Sequence, residues 1–490
     1  MLFNSLEFLI FLPTVFCLYW FVFQKNLRVQ NLLLLFSSYV FYGWWDWRFL
    51  SLIAMSTTVD YFVGQKIYQS DKEFTRKIYL WISILFNLGL LAFFKYYNFF
   101  IDTWVDFLSG LGYELQNIWS LQVILPVGIS FYTFQSISYT VDVYRGKIKP
   151  ENNFLIFSNY VIFFPQLVAG PILRANEILW QFKKKKSFDL YNLNSGIKRI
   201  IFGLFLKIVL ADNISKFVDQ GFLISPNLLS AIDVMTLSYL FGFQIYFDFA
   251  GYSHIAIGAA LTMGIKLKEN FNFPYHSISP HFFWKKWHIS LSSWVRDYIY
   301  LPLLNKKSFV SSEGGLTINL RISHLKAYTI LVLFITWSLM GLWHGASWNF
   351  VFWGIWNFIL IFFFRIINKF FFLYENKISK IVSWFIFLQL IMISWIFFRS
   401  ESLLVSFQML DNFFSINKWT FLSLKENIYI ITALVTIFYL MTPSFIKIFN
   451  ILKLKSKIIS EVITISSLTI ALILILIYNQ ELNQFIYFQF

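Results

Sequence analysis

The sequence predicts an all-α protein that crosses a membrane many times. Of its 490 residues, 58% are hydrophobic and 13% are charged, and the mean hydropathy is +0.62. Soluble domains are about 45–50% apolar and about 25% charged. Apolar runs of about 17–25 residues, the length of a membrane-spanning helix, recur from end to end, and none alternates like a transmembrane β-strand. No linker or repeat divides them, so we expect residues 1–490 to form a single transmembrane domain.

The charge distribution also fits a membrane protein. The net charge is +15 and the sequence pI is about 9.5, values that in a soluble protein would suggest nucleic-acid binding. Here the lysines and arginines lie in short loops between apolar runs, where they mark the cytoplasmic side, so we expect no nucleic acid partner. The single cysteine, Cys17, lies inside the first apolar run. It excludes an intrachain disulfide and favours a packing role.

The first apolar run, Phe8–Phe23, has no basic residues before it and no small-residue cleavage site after it, so we expect a retained helix rather than a signal peptide. Lys25 and Arg28 follow this run and place the amino terminus outside. Tyr97–Leu121 is aromatic and mildly acidic, and it is expected to be external or interfacial. The other runs expected to cross the membrane are Leu32–Tyr42, Phe49–Val63, Ile78–Phe94, Val123–Val143, Ile197–Leu210, Ile381–Phe398, Ile428–Met441 and Val462–Ile477.

Phe154–Val168 is apolar but short, and Pro165 lies near its end. Both of its flanks are basic, with Arg145 before it and Lys183–Lys186 after it, so both ends are expected on the cytoplasmic side. A segment that enters and leaves through one face is re-entrant, and its irregular backbone is tolerated only inside protein or beside a wet cavity. We therefore expect an internal chamber that opens toward the cytoplasm.

Two stretches in the middle of the chain mix polar and apolar residues. Leu228–Ile265 is too long and too polar for one simple helix. Lys266–Tyr300 combines tryptophans with lysines, a composition expected to lie in the plane of the membrane interface. The breaks in the first stretch are expected at its glycines, Gly242, Gly251, Gly258 and Gly264.

Ala327–Leu342 and Asn349–Phe364 are predicted to form a hairpin with both ends on the cytoplasmic side, since basic residues such as Arg321 and Arg365 flank it. At 1.5 Å per residue, ~16 residues reach only ~24 Å. The apex, Gly341–Trp348, should therefore lie within the depth of the bilayer.

The apex carries His344, which has the strongest claim to a chemical role among the six histidines. An ionisable residue at membrane depth is costly and marks a functional site by default. Burial keeps an imidazole neutral, and a neutral imidazole is a suitable general base. Gly345 and Ala346 should permit close approach by a substrate. The alternative is a structural histidine that is hydrogen-bonded to a neighbouring helix.

His288 has two interpretations. It either anchors the chain at the interface together with the neighbouring lysines, or lies with them at the mouth of a chamber that admits an anionic donor. Asp248 is a carboxylate in an apolar run; it could orient a base, contact the donor or pair helices.

Other chemical signals are absent from the sequence. His254, His276, His281 and His324 have no metal-ligand spacing, so we expect no metal site. No P-loop occurs, and Gly251–His254 lacks the second glycine of a serine-hydrolase elbow. The run Lys183–Lys186 is most simply a cytoplasmic loop.

Six aromatic- or glycine-rich stretches are distributed along the chain in a fixed order. They are Leu125–Phe131, Phe164–Pro171, Tyr246–Ser253, Phe283–Ser292, Gly341–Gly345 and Phe485–Phe490. The sequence in these stretches resembles the membrane-bound O-acyltransferase (MBOAT) family, in particular the bacterial branch that contains the alginate O-acetylase and the peptidoglycan O-acetyltransferase. The resemblance covers nearly the whole chain. His254 departs from it, since relatives often have Asp or an apolar residue there.

The resemblance implies a ring of tilted transmembrane helices, with re-entrant segments, around a central chamber. It also implies that His344 is catalytic and that His288 assists or gates. Acetyl-CoA would be the donor substrate, with no permanently bound cofactor. Other partners would be the lipid bilayer, a polysaccharide acceptor, and a separate extracytoplasmic SGNH-type transferase. The residues expected to line the chamber or contact the donor are Asp248, Trp284, Lys285, Lys286, Trp287, Trp343 and Ser347.

The sequence therefore favours an acetyltransferase of the bacterial inner membrane that acts in cell-envelope polysaccharide O-acetylation. Peptidoglycan is the favoured acceptor because the chain is rich in Ile, Lys, Asn and Phe, which AT-rich codons encode, while alginate producers tend to be GC-rich. Two alternatives stay open. One is a transporter or acyl-group channel in which His344 gates, and the other is a scaffold that docks an extracytoplasmic partner.

Overall fold

The computed structural model describes residues 1–113, 121, 123–168, 170–304, 327–371, 376–419, 422–479 and 484–488. These residues form helices and connections, and no strand occurs among them. Within this part of the chain, six helical stretches are long and apolar enough to cross a membrane: Glu73–Gly110, Ala327–His344, Trp348–Asn368, Lys377–Arg399, Glu426–Lys455 and Lys457–Tyr478. The prediction of an all-α, multi-pass membrane protein is confirmed. The ring arrangement stays a prediction.

The chain forms two compact units. The first comprises Met1–Ile200 and Ile255–Lys268, and the second Ile201–His254 and Glu269–Gln489. The first unit contains α1 (Leu6–Cys17, extended by a π-helical turn to Val22), α2 (Leu27–Gly43), α3 (Leu50–Gln69), α4 (Glu73–Leu91), α5 (Tyr97–Gly110), α6 (Ile129–Tyr144), α7 (Phe154–Ile162), α8 (Phe164–Leu167) and α9 (Ala175–Lys183).

Two helices contribute to both units, α10 (Leu190–Leu204, extended by a π-helical stretch to Ala211) and α12 (Ala231–Thr262). The other helices of the second unit are α11 (Asp212–Phe222), α13 (Pro280–Phe283), α14 (Ile289–Val295), α15 (Leu301–Leu303), α16 (Ala327–His344), α17 (Trp348–Phe371), α18 (Lys377–Arg399), α19 (Leu403–Phe414), α20 (Glu426–Lys455) and α21 (Lys457–Tyr478).

Side-chain capping fixes where several helices begin. The Asn26 side chain accepts hydrogen bonds from the backbone N–H groups of the first turn of α2, and Asn153 does the same for α7. The Ser456 hydroxyl caps α21 in this way. These contacts satisfy N–H groups that have no partner inside the helix, which is why each polar residue marks the start of an apolar run.

A closed polar network lies at the centre of the first unit, among α3, α4 and α6. Asp60 is fully buried; it accepts hydrogen bonds from the Ser83 hydroxyl at 2.5 Å and from the Asn87 amide at 2.9 Å. The Asn87 carbonyl oxygen accepts from Ser56 at 2.7 Å, and Ser83 lies 3.0 Å from the Thr140 hydroxyl. Hydrogen bonds between side chains hold membrane helices together, so this network ties the three helices to one another.

The prediction that Leu228–Ile265 is broken at its glycines is wrong. The structure has one uninterrupted helix, α12, over Ala231–Thr262. A Cβ atom on Gly251 would lie 2.8 Å from the Gly203 carbonyl oxygen, and one on Gly242 would lie 2.6 Å from the Met392 sulfur. These glycines therefore let neighbouring helices approach closely. Of the four glycines expected to break the helix, only Gly264 lies beyond the end of α12, and its φ is +70°.

Two further segments, Tyr97–Gly110 and Phe154–Val168, can be compared with what the sequence predicted for them. Tyr97–Gly110 is α5, which continues the helical stretch that begins at Glu73; the expectation that this segment is external or interfacial stays a prediction. Phe154–Val168 forms the nine-residue α7 and the four-residue α8, interrupted at Phe163. A nine-residue helix rises only about 14 Å, so this segment does not cross as one helix, as expected for a re-entrant segment.

Candidate active site

His344 is the last residue of α16 and is only 3% exposed. Its imidazole is surrounded by aromatic rings. The ring centroids of Trp343 and Trp353 each lie 5.0 Å away, that of Phe398 lies 5.1 Å away, and that of Tyr487 lies 5.6 Å away. Apolar surroundings penalise a charged imidazole, and a general base has to be neutral before it acts.

Helices α16 and α17 form the hairpin that the sequence predicted. Glycines let the two helices pack closely against each other. A Cβ atom on Gly341 would lie 2.1 Å from the Phe350 carbonyl oxygen, and one on Gly354 would lie 2.2 Å from the Trp337 carbonyl oxygen. The expectation that Gly345 admits a substrate is wrong, because the Phe350 ring occupies the space where its Cβ would be, at 2.1 Å. The glycines instead bring α17, which carries Trp353, against the histidine.

His288 belongs to the same cluster. It is fully buried, which rules out the interfacial-anchor interpretation. Its ring lies 6.0 Å from Trp343, 4.6 Å from Phe249 and 6.4 Å from Tyr487. Its φ of 43° puts the backbone in the left-handed region immediately before α14. Such a conformation is rare for a non-glycine residue and costs about 1–3 kcal/mol, and residues of this kind concentrate at functional sites.

Asn270 determines the tautomer of His288. The Asn270 Oδ1 atom accepts hydrogen bonds from the Ser290 backbone N–H at 3.3 Å and from the Ser290 hydroxyl at 2.9 Å, so it is the carbonyl oxygen of the amide. The His288 Nδ1 atom lies 3.2 Å from the same oxygen and must therefore carry the proton. Burial lowers the pKa of His288 to about 3, so the ring stays neutral at physiological pH.

Tyr487 joins the two histidines. It lies in the segment Gln484–Phe488 near the carboxyl end of the chain, is half-buried, and packs 4.6 Å from Phe249 as well as against both imidazoles. The sequence analysis included this stretch in the family resemblance but gave the tyrosine no role. The only signal was an aromatic stretch after the last apolar run, and nothing in its spacing connects it with residue 288 or 344.

A buried ion-pair network holds this carboxyl-terminal segment. The Lys207 ammonium lies 2.8 Å from Asp212 and 3.1 Å from Asp248, and it donates to the Gln484 carbonyl oxygen at 3.2 Å. The second carboxylate oxygen of Asp248 accepts from the Ile486 backbone N–H at 2.9 Å. Asp248 thus neither orients a histidine nor lies against one. It fixes the backbone of the residue next to Tyr487.

Tryptophans form a second layer behind His344. Trp284 and Trp287 are each 1% exposed, so neither is an exposed anchor, while the depth of this segment in the membrane stays a prediction. Trp284 packs 4.8 Å from Trp337 and 5.7 Å from Trp353, and Trp287 packs 5.0 Å from Trp395. Within the described part of the chain, the indole N–H groups of Trp284, Trp337 and Trp353 meet no acceptor.

Of three further residues expected at the chamber, Ser347 has a structural role, and the expectation for Lys285 and Lys286 stays a prediction. Lys285 and Lys286 are half-buried, and neither forms an ion pair with a described carboxylate. The Ser347 hydroxyl accepts from the Asn349 backbone N–H at 3.2 Å and its carbonyl oxygen accepts from Phe350, so it caps the start of α17. Trp343 is in the cluster, as expected.

The remaining histidines lie away from the His344–His288 cluster or outside the described residues. His254 packs against Phe202, with ring centroids 5.0 Å apart. His276 stacks on Tyr439 at 5.2 Å. His281 is half-buried beside Phe282. His324, like Arg321 of the expected hairpin flank, lies outside the described residues.

Two buried histidines in a protein of membrane-crossing helices are candidate functional groups. The model of the MBOAT, membrane-bound O-acyltransferase family matches residues 151–315. A probable alginate O-acetylase of Azotobacter vinelandii is 36% identical over 429 residues, which are 87% of this chain and 80% of that protein. The chain belongs to the MBOAT family and is an acyltransferase.

Other relatives act on different polymers. A peptidoglycan O-acetyltransferase of Helicobacter pylori is 33% identical over 85% of this chain and 80% of its own length. A teichoic acid D-alanyltransferase of Bacillus subtilis is 29% identical over 47% of this chain and 56% of its own length. The relatives of this chain are thus named for three different acceptors, which are alginate, peptidoglycan and teichoic acid.

Proposed function

We propose that this acyltransferase moves acetyl groups from cytoplasmic acetyl-CoA across the inner membrane for O-acetylation of a cell-envelope polysaccharide. The names of the relatives support acetyl as the group and a polysaccharide as the acceptor. We favour peptidoglycan as the acceptor, with alginate or another exopolysaccharide next. The observation that carries the catalytic part is the contact of His344 and His288 with one tyrosine ring, that of Tyr487.

His344 acts as the general base. Its neutral imidazole removes the proton from an incoming hydroxyl while that oxygen attacks the thioester carbonyl carbon. The carbon–sulfur bond then breaks, and the thiolate leaves with the proton that the imidazolium returns. One ester forms, one thioester is lost, and His344 ends neutral. Holding the donor and hydroxyl in one site replaces a bimolecular encounter with an oriented one.

The surrounding groups orient the reactants. His288, held neutral with its proton on Nδ1, directs the Nε2 lone pair away from Asn270 and can accept a hydrogen bond from a hydroxyl. The buried indole N–H groups of Trp284, Trp337 and Trp353 need acceptors, since an unsatisfied buried donor costs about 1–3 kcal/mol. The carbonyl oxygens of a thioester donor would satisfy them.

The acetyl group then leaves on the extracytoplasmic side. We expect a separate SGNH-type transferase to receive it there, directly or through a carrier, and to deliver it to the polysaccharide. Because the donor is cytoplasmic and the acceptor external, the chain must lie in the membrane that separates these compartments.

The donor is tested with inside-out vesicles that contain the full chain. We expect acetyl-CoA to label material on the extracytoplasmic side, and succinyl-CoA and palmitoyl-CoA to label at least about 100-fold less, which corresponds to about 2.7 kcal/mol of discrimination. Equal transfer from all three donors would contradict acetyl specificity.

The acceptor is tested in the native organism by deletion of the chain and complementation. Ester-linked acetate is measured separately on purified peptidoglycan and on exopolysaccharide. We expect the peptidoglycan acetate to disappear on deletion and to return with the intact chain. Loss confined to exopolysaccharide would move the assignment to that polymer.

A further inference from the structure

A cavity at one end of α1 has no part in the acyl-transfer site. It lies in the first unit, has a volume of about 380 Å³, and is lined by Gln24, Lys25, Lys185, Lys186 and Ser187. Every one of these side chains can donate a hydrogen bond, and none is acidic. The cavity is therefore suited to an anion.

The lysine run Lys183–Lys186 divides into two pairs. Lys183 forms an ion pair with Glu151 at 2.6 Å, and the Lys184 ammonium lies over the Trp180 ring at 5.0 Å. Lys185 and Lys186 line the cavity instead. The first pair has a carboxylate or an aromatic ring as its partner, whereas the second pair faces the cavity.

The cavity's cations lack counter-charges. Among the described residues, no carboxylate forms an ion pair with Lys25, Lys185 or Lys186. The Lys186 ammonium donates to the Gln181 carbonyl oxygen at 2.7 Å, and the Gln181 side chain is itself bonded to the Lys266 backbone, so its position is fixed. Burial lowers the pKa of Lys186 to about 8, and a bound anion would raise it again.

The neighbouring face of α1 indicates where such an anion comes from. Leu6, Ile10, Pro13, Cys17 and Phe21 are all exposed. Their spacing of three or four residues places them on one face of the helix, and in a membrane protein an exposed apolar face contacts acyl chains. This face ends directly before Gln24 and Lys25, at the mouth of the cavity.

We propose that this cavity binds the phosphate headgroup of an anionic phospholipid whose acyl chains lie along the exposed face of α1. Basic pockets beside membrane helices on the cytoplasmic side suit such headgroups, and each lysine near an anionic headgroup contributes about fivefold to binding. The basic residues that follow the first span place the cavity on that side. This site is independent of the acyl-transfer proposal and holds whether or not that proposal does.

The test uses the full chain in nanodiscs of equal parts phosphatidylglycerol and phosphatidylcholine, with the lipid retained after extraction counted by native mass spectrometry. We expect one phosphatidylglycerol to be retained in preference to phosphatidylcholine. The triple variant K25Q/K185Q/K186Q should bind it about 100-fold more weakly, and the double variant K25Q/K185Q about 30-fold more weakly. The double variant keeps the Lys186–Gln181 hydrogen bond and changes only exposed residues.

A matched control removes the same charge elsewhere. The variant K66Q/K72Q/K184Q alters three lysines of the first unit that do not line the cavity, and we expect it to retain phosphatidylglycerol. Equal loss in both triple variants would overturn the proposal in favour of general surface attraction. Undiminished retention of phosphatidylglycerol by the double variant K25Q/K185Q would also overturn the proposal. Displacement of the lipid by 10 mM inorganic phosphate or 1 mM coenzyme A would instead assign the cavity to a soluble phosphate compound.

Discussion

The two units each have a buried polar centre, and the two centres are completed in different ways. Around Asp60, every carboxylate, amide and hydroxyl atom of Asp60, Ser83 and Asn87 has a protein hydrogen-bond partner. Around His344, the polar groups lie among aromatic rings, and three nearby indole N–H groups meet no acceptor within the described residues. A satisfied network stabilises a fold, whereas unsatisfied buried donors in a native structure call for an explanation, and the proposed acyl transfer offers one in its substrate.

This difference can be tested by damaging each centre separately. After replacement of His344 itself, we expect the largest loss of acetyl transfer when His288 is replaced. The variant H288A removes a neutral imidazole at the histidine cluster, and acetyl transfer in vesicles should fall about 100-fold. The matched variant H281A removes a histidine outside the cluster and should stay within about threefold of the intact chain. Equal rates in the two variants would remove His288 from the site.

The ion-pair network should give the next largest effect. In D248N the Lys207–Asp248 ion pair is lost, so the segment that carries Tyr487 is less firmly held, and we expect the transfer rate to fall about tenfold with donor KM unchanged. D212N also removes a carboxylate from Lys207 but touches no residue of that segment. The rate should fall less in D212N than in D248N. A larger fall in D212N than in D248N would contradict a role for the contact between Asp248 and the Tyr487 segment.

A smaller effect is expected from the tryptophans. W353F deletes an indole N–H that has no acceptor in the described protein, so stability should be unchanged while donor KM rises about tenfold, the value of one hydrogen bond. W356F deletes an indole N–H that donates to the Leu390 carbonyl oxygen at 3.1 Å. It should lower the melting temperature and leave KM unchanged. If W353F lowers stability and leaves donor KM unchanged, the Trp353 N–H does not face the donor.

The smallest effect on activity is expected in the first unit. D60N leaves a side chain that can accept with only one of its two terminal atoms, so one of the two donors, Ser83 or Asn87, loses its partner. We expect the free energy of unfolding to fall by about 1–3 kcal/mol with the specific activity of the folded protein within twofold. A large loss of specific activity at unchanged stability would mean that this centre also takes part in transfer.

The hairpin and the two candidate histidines could be singled out from the sequence because each leaves a local signal. His344 lies between two apolar runs whose length limits how far the apex can reach, and His288 follows a run of tryptophans and lysines. The composition of the apolar runs likewise sufficed for the all-α membrane fold. Helix–helix contacts leave no such signal, so the glycines of α12 were interpreted as breaks although they are packing contacts.

Residues that act through distant partners were not predictable. Asp248 is a carboxylate in an apolar helix, and nothing local shows that it holds the backbone of Ile486, which is 238 residues away in sequence. Tyr487 reaches the histidines through that same contact. The buried positions of Trp284 and Trp287 also depend on tertiary packing, since their composition alone fits an interfacial segment equally well.

The most direct measurement separates donor binding from transfer in H344A. Binding of acetyl-CoA to the purified full-length variant is measured by calorimetry, and acetyl transfer is measured in a single turnover in vesicles. We expect the dissociation constant to stay within about threefold and the transfer rate to fall by about 100- to 10,000-fold, the range of a general base. Transfer at the full rate would contradict a catalytic imidazole and leave His344 as a gate or a packing residue.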